Sequence, residues 1–151
     1  MALLRLRRLG TVSMLALVLS ACSSQPAPSI SGSNDGASVS SPVVGKRWNL
    51  LLIGTSDRIS MPSTPYFTVD SSGKLSGSDG CNQLTGQVSF GDNQRIDIDN
   101  LGATRMACAK GQDAQQVHDL LDNAYRYLID HDRLVFFGPN SLVLGGFRLA
   151  N

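Results

Sequence analysis

The spacing of apolar and polar residues changes period along this chain. From Gln83 to Phe90 it alternates: Leu84, Gly86, Val88 and Phe90 lie on one side, and Gln83, Thr85, Gln87 and Ser89 on the other. A period of two predicts a strand with one face in a core. "GDNQ" turns the chain, and Ile96, Ile98 and Leu101 resume the alternation. Upstream, "KRWNLLLIG" (46–54) is a continuous apolar run, "PYFTVD" (65–70) is β-rich, and "LSGSDG" is a short glycine-rich strand or bulge. "GATRMAC" (102–108) is one more extended piece. After it the period lengthens. Val117, Leu120, Leu121, Ala124, Tyr125 and Leu128 recur at helical spacing and predict an amphipathic helix over about 113–129. Asp113 and Gln116 have the spacing of a capping box, and Asp122 and Arg126 that of an i,i+4 ion pair. "DRLVFFG" and "LVLGGFRL", joined by "PNS", predict a closing hairpin. The expected fold is α+β: a strongly curved, barrel-like antiparallel sheet of about seven or eight short strands, with one amphipathic helix over its open side.

The first residues belong to another class. Arg5, Arg7 and Arg8 precede an apolar stretch, "LGTVSMLALVLSA" (9–21), the layout of a secretory signal. As a helix the stretch would reach about 20 Å, short of the roughly 30 Å of a bilayer core. It ends in "LSAC", which resembles the lipobox of bacterial lipoproteins. That resemblance implies a diacylglycerol on the thiol of Cys22 and cleavage before it, with several acyl chains giving stable anchoring. Ser23, where an aspartate would signal inner-membrane retention, favours the outer membrane, facing the periplasm. Residues 23–42 hold eight Ser and three Pro and cannot bury enough apolar surface to fold. The expected organisation is a signal at 1–21, a lipidated cysteine and tether at 22–43, and one domain at 44–151.

Composition narrows the partners. The chain has 13 Lys+Arg and 12 acidic residues, every acid an aspartate. Loss of Arg5, Arg7 and Arg8 with the signal leaves 10 against 12, a net of −2. This balance predicts neither a clustered positive face for nucleic acid nor a polybasic patch for anionic lipid.

With Cys22 acylated, Cys81 and Cys108 remain, an even number in an oxidising compartment, where thiols pair. A bridge between them would close a loop worth about 3.6 kcal/mol in the chain-entropy picture. Two alternatives stay open. His118 and Asp122, at i,i+4, could share a metal, although zinc wants four ligands. Cys81 could be a nucleophile, although it would need a base and freedom from pairing. The chain has no G-x-S-x-G, H-E-x-x-H or P-loop. Asp97 and Asp99 read as solvated charges on one strand face. Phe67, Phe90, Phe136, Phe137 and Tyr125 read as core. No cofactor is expected.

"GCNQLTG" (80–86), "LGATRMAC" (101–108), the helix and the "LVFFG…LVLGGFRL" hairpin together resemble the META domain, the HslJ-like heat-shock lipoprotein family. Trp48 in "WNLLLIG" fits that family's first strand, and the likeness covers residues 46–150. Leu84 stands where the family often has an aromatic. The resemblance implies an envelope lipoprotein with no known enzymatic activity, linked in some members to heat stress, antibiotic tolerance or motility. Within the motifs, Gly80 and Gly86 would permit a bend or close strand approach, and Asn82 would bond local backbone. Thr104, Arg105 and Met106 would deliver Cys108 to Cys81, with Arg105 in a salt bridge to Asp79, at a helix end, or recognising a carboxylate. The function expected is a non-enzymatic binding or scaffolding module at the cell envelope, membrane-held by its lipid, monomeric, with an envelope protein as partner. The alternative is an inhibitor of an attacking enzyme such as lysozyme, using "GTSDRISMPSTP" (54–65); an enzyme is the remote third.

Overall fold

The computed structural model describes residues 39–151. The stretch expected to be a signal, Cys22 and most of the expected tether lie outside them. The described chain forms β1 (Arg47–Ile53), β2 (Tyr66–Val69), β3 (Lys74–Ser78), β4 (Gln83–Gly91), β5 (Arg95–Ala103), α1 (Gly111–Asp122), β6 (Arg126–Asp130), β7 (Arg133–Phe137) and β8 (Val143–Leu149). Each strand pairs antiparallel with the next, and β8 pairs with β1, so the sheet closes into a barrel. Closure leaves no long free edge, the usual hazard of short exposed strands.

The alternation along β4 and β5 decides what fills the ring. Leu84, Val88, Ile96 and Ile98 point inward and are buried, while Thr85, Gln87, Asp97 and Asp99 are exposed. Trp48, Phe67, Phe136 and Phe147 fill the centre. Phe67 meets Phe147 edge-on with centroids 5.0 Å apart, and Phe136 meets Phe147 at 5.6 Å, the tilted geometry aromatic rings prefer. Phe90, Phe137 and Tyr125 are half-buried, Tyr125 lying 3.5 Å beneath the Arg95 guanidinium.

Because neighbouring strands run oppositely, the ends of β1, β3, β5 and β7 gather at one rim. We call it the roof, since α1 lies across it. Ala114, Val117, Leu120 and Leu121 form the buried face of α1. Gly145 makes this possible: a Cβ there would run into Leu120 and come within 2.7 Å of the Leu52 carbonyl. The opposite rim, the floor, is closed by the chain before β1. Val43 is fully buried, and its carbonyl accepts a 3.1 Å bond from Trp48 Nε1. Val39 N donates to Ser71 O (2.8 Å) and Gly45 N to Val69 O (2.8 Å). The last residues given to the tether thus belong to the folded body, because Val43 caps the aromatic core.

The helix differs from its expected span. It covers Gly111–Asp122, not about 113–129, and Arg126–Asp130 is strand β6. Tyr125 and Leu128 fit a helical period, but Tyr127 and Ile129 fit an alternating one. Five register pairs with β7, from Arg126↔Phe137 to Asp130↔Arg133, favour the latter. Leu128 consequently lies exposed. The Asp122–Arg126 helical pair does not form; Arg126 Nη2 instead donates to Asn93 O at 3.1 Å. The capping box is also absent. Lys110 is the N-cap and makes no side-chain cap bond, and Asp113 lies in the first turn, 3.9 Å from Lys110 Nζ. Of "GATRMAC", only Gly102 and Ala103 are strand.

Candidate functional site

The two sequence motifs meet at the roof. Asp79 ends β3 and begins a tight loop, and although a carboxylate, it is buried (2% exposed). Three N–H groups hold it. Its Oδ1 accepts from Cys81 N (2.8 Å) and Asn82 N, and its Oδ2 from Asn82 Nδ2 (3.0 Å). Backbone donors on a carboxylate stabilise it without a cation. Gly80 follows in the left-handed region (φ 94°), and a Cβ there would come within 2.9 Å of Met61 Cβ and of Ser63 O. Ser63 Oγ in turn donates to Gly80 O (3.0 Å), tying the 54–65 loop to this turn.

Asn82 then reaches across to the second motif. Its Oδ1 accepts from Met106 N at 2.8 Å. One residue on, Gln83 N donates to Thr104 Oγ1 (3.0 Å) and Thr104 N donates to Gln83 O (3.0 Å). These bonds carry the chain from β5 past the loop, and Cys81 and Cys108 are joined there as a disulfide, their Cα atoms 6.2 Å apart. The bond takes both thiols out of consideration as nucleophile or ligand.

Between this stitched loop and α1 lies a cleft of about 410 Å³, lined by Asp79, Asn82, Thr104, Arg105, Met106 and, from the helix, Gln115 and His118. Arg105 and Met106 are exposed, Met106 at 63%. Arg105 makes no ion pair among the described residues, so the expected salt bridge to Asp79 does not form. The reason is that Asp79 already has its donors, two from the backbone and one from the Asn82 side chain. Of the motif residues, Gly86 stands apart. It sits where the β4–β5 register shifts, and a Cβ there would lie 3.3 Å from Asp99 O. His118 faces the cleft, whereas Asp122 is exposed and is not among its lining residues. Among the described residues no group of three or more His, Cys, Asp or Glu is placed to hold a metal. His118 and Gln115 were not read as partners of the motifs, because only the fold of α1 over the roof brings them there. The sequence set Asp79 only against Arg105; its place two residues ahead of Cys81 is the signal that marks a turn-former.

A small closed antiparallel barrel, roofed by one helix and clasped by a disulfide between its third-to-fourth and fifth-strand connections, defines the class. The META-domain family matches residues 41–147, and the chain belongs to that family. Solved structures share the fold. One from Burkholderia xenovorans, determined by NMR, is 22% identical, with a TM-score of 0.58, covering 72% of this chain and 84% of its own. A second NMR structure is 20% identical at a TM-score of 0.55, covering 69% and 88%. A crystal structure of a DUF4847 family protein from Bacteroides vulgatus is 13% identical at 0.54, covering 71% and 94%. No protein of curated function matches the chain.

Proposed function

We propose that this protein is a bacterial envelope lipoprotein, anchored through Cys22 in the outer membrane and facing the periplasm. Its META domain would be a non-enzymatic binding or scaffolding module in stress tolerance. The observation that supports this reading is the fate of the family motifs. Asp79, Asn82 and Thr104 are taken up in building the loop, and both cysteines in closing it. What remains open to a ligand is the cleft wall: the Arg105 guanidinium, the Met106 thioether, and the Gln115 and His118 side chains of α1. That set suits recognition of a polar or acidic group on a partner, with Arg105 as the fork that would hold a carboxylate. The META domain is not a known enzymatic family.

The test is crosslinking in cells with the full chain. Arg105→Ala combined with His118→Ala is expected to abolish capture of the partner that the unmodified chain captures, while Cys22→Ser alters where capture occurs but not its specificity. Identical capture by the Arg105→Ala, His118→Ala variant would remove the cleft from the function.

The inhibitor reading keeps one supporting feature. Thr55, Ser56, Asp57 and Arg58 are exposed at the tip of the 54–65 loop on the roof. It predicts stoichiometric block of muramidase activity, and failure against several lysozymes discards it.

A further inference from the structure

The floor of the barrel gathers basic residues that are scattered in sequence. Arg133 lies directly opposite Arg148 in the β7–β8 ladder, and Arg148 directly opposite Asn49 in the β8–β1 ladder. Arg47, two residues before Asn49 on the same strand face, is diagonal to Arg148. Lys46 precedes it, and Lys74 begins β3 on the same rim. All five are exposed. Like charges directly opposite in a ladder are unfavourable, and the compensation here is incomplete. Arg148 Nε reaches Asp132 Oδ2 at 3.3 Å. Arg133 forms no ion pair among the described residues, although Asp130 is its register partner; Asp130 instead meets His131 Nδ1 at 2.6 Å. Arg47 Nε donates to Asn49 Oδ1 (3.1 Å), and its guanidinium lies 3.5 Å over the Tyr66 ring, a geometry that holds the charge outward. Asp70, Asp130 and Asp132 are the carboxylates of the β2–β3 and β6–β7 turns at this rim, and Asp92 of the β4–β5 turn has Arg95 near it in sequence.

The floor is also where the chain comes in. Val39–Gly45 runs along it, and only 16 residues lie between Cys22 and Val39. That length reaches at most about 60 Å. We propose that the floor, through Arg47, Arg133 and Arg148, docks on the anionic headgroups of phospholipid. The roof cleft would then point away from the membrane. This rests on the reading of Cys22 as the anchor: the lipid supplies the hold, and the arginines supply the orientation. Each arginine at an anionic surface raises partitioning about fivefold.

The test uses the full chain with Cys22→Ser, which removes the lipid but not the floor. Its partitioning is measured onto vesicles of phosphatidylcholine alone and onto equimolar phosphatidylglycerol and phosphatidylcholine. The apolar 9–21 stretch and Arg5, Arg7 and Arg8 are common to every variant. The ratio of anionic to neutral partitioning is expected to fall about tenfold to a hundredfold in Arg47→Gln, Arg133→Gln, Arg148→Gln, and to fall for the parent as salt rises. A roof control, Arg58→Gln with Arg105→Gln, is expected to keep the parent ratio. Should Arg47→Gln disturb the Tyr66 stack, Arg133→Gln with Arg148→Gln alone reads the same surface. A floor variant that keeps the parent ratio, or a roof control that loses as much, overturns the proposal. The anchor is read separately, by intact mass of the unmodified chain from cells. An unacylated Cys22 with an unchanged vesicle result overturns the anchor and leaves the basic floor standing.

Discussion

Asp79 is a charged group where charge is ordinarily excluded, and its neighbours explain why it is tolerated. Three N–H donors replace the water it lost. Asp79→Ala leaves those part-buried donors unpaired, and should lower stability by about 1–3 kcal/mol in urea unfolding. Asp79→Asn keeps the oxygen that serves the Cys81 and Asn82 backbone and should cost less. Replacing both Cys81 and Cys108 with alanine should cost about 3–4 kcal/mol, most of it through the freer unfolded chain. Asp70 behaves differently because it is exposed. The Ser72 hydroxyl first, and then the Lys74 backbone N–H, hold its carboxyl below the ordinary value of 3.8. A depressed carboxyl stabilises the fold above its unfolded value and loses that contribution as pH falls through the folded one. Ser72→Ala should therefore raise the Asp70 titration midpoint toward 3.8, read by NMR, and shrink the acid-dependent part of stability.

Helix α1 and the β5–β6 seam are coupled. Only Arg95↔Arg126 pairs the two strands by register, extended by Ile96 N to Tyr125 O (3.1 Å) and Tyr127 N to Gln94 O (3.0 Å). The connection through α1 bridges the part of β5 that β6 does not reach. Local opening should start here. In hydrogen exchange the Ile96 and Tyr127 amides should open at lower free energy than the β7–β8 ladder, which has five register pairs. Gly145→Val should push Leu120 off the barrel and destabilise by about 1–3 kcal/mol. Strands β4 and β5 were legible because their alternation is strict and each side chain answers to a core on one face. The end of α1 was not. Tyr125–Ile129 satisfies both periods, and the choice was made by β7, which supplies the ladder bonds. The motifs announced a clasp at residues 81 and 108, but the cleft it borders needed His118, whose helical neighbours gave no sign that this face would meet Arg105.

As a whole the barrel has two unlike ends: a roof with the clasp, the 54–65 loop and the cleft, and a floor with the incoming chain and its arginines. Reduction should report the difference. With the disulfide opened, the chain between Met106 and α1 loses its covalent tie, and protease should cut among residues 107–110 while the β7–β8 hairpin stays protected; cutting that begins in the hairpin would contradict it. The run of local preferences along the chain was enough to say that this is a β-rich body with one helix, that two cysteines were available to pair, and that Gly80 would permit a bend. Those features depend on residues within a few positions of one another. Closure of the ring, the burial of Val43, the place where α1 stops, the company of His118 and Arg105, and the gathering of Arg47, Arg133 and Arg148 depend on register between strands up to a hundred residues apart. Register is settled by the packing of the assembled core, so no local stretch contains it.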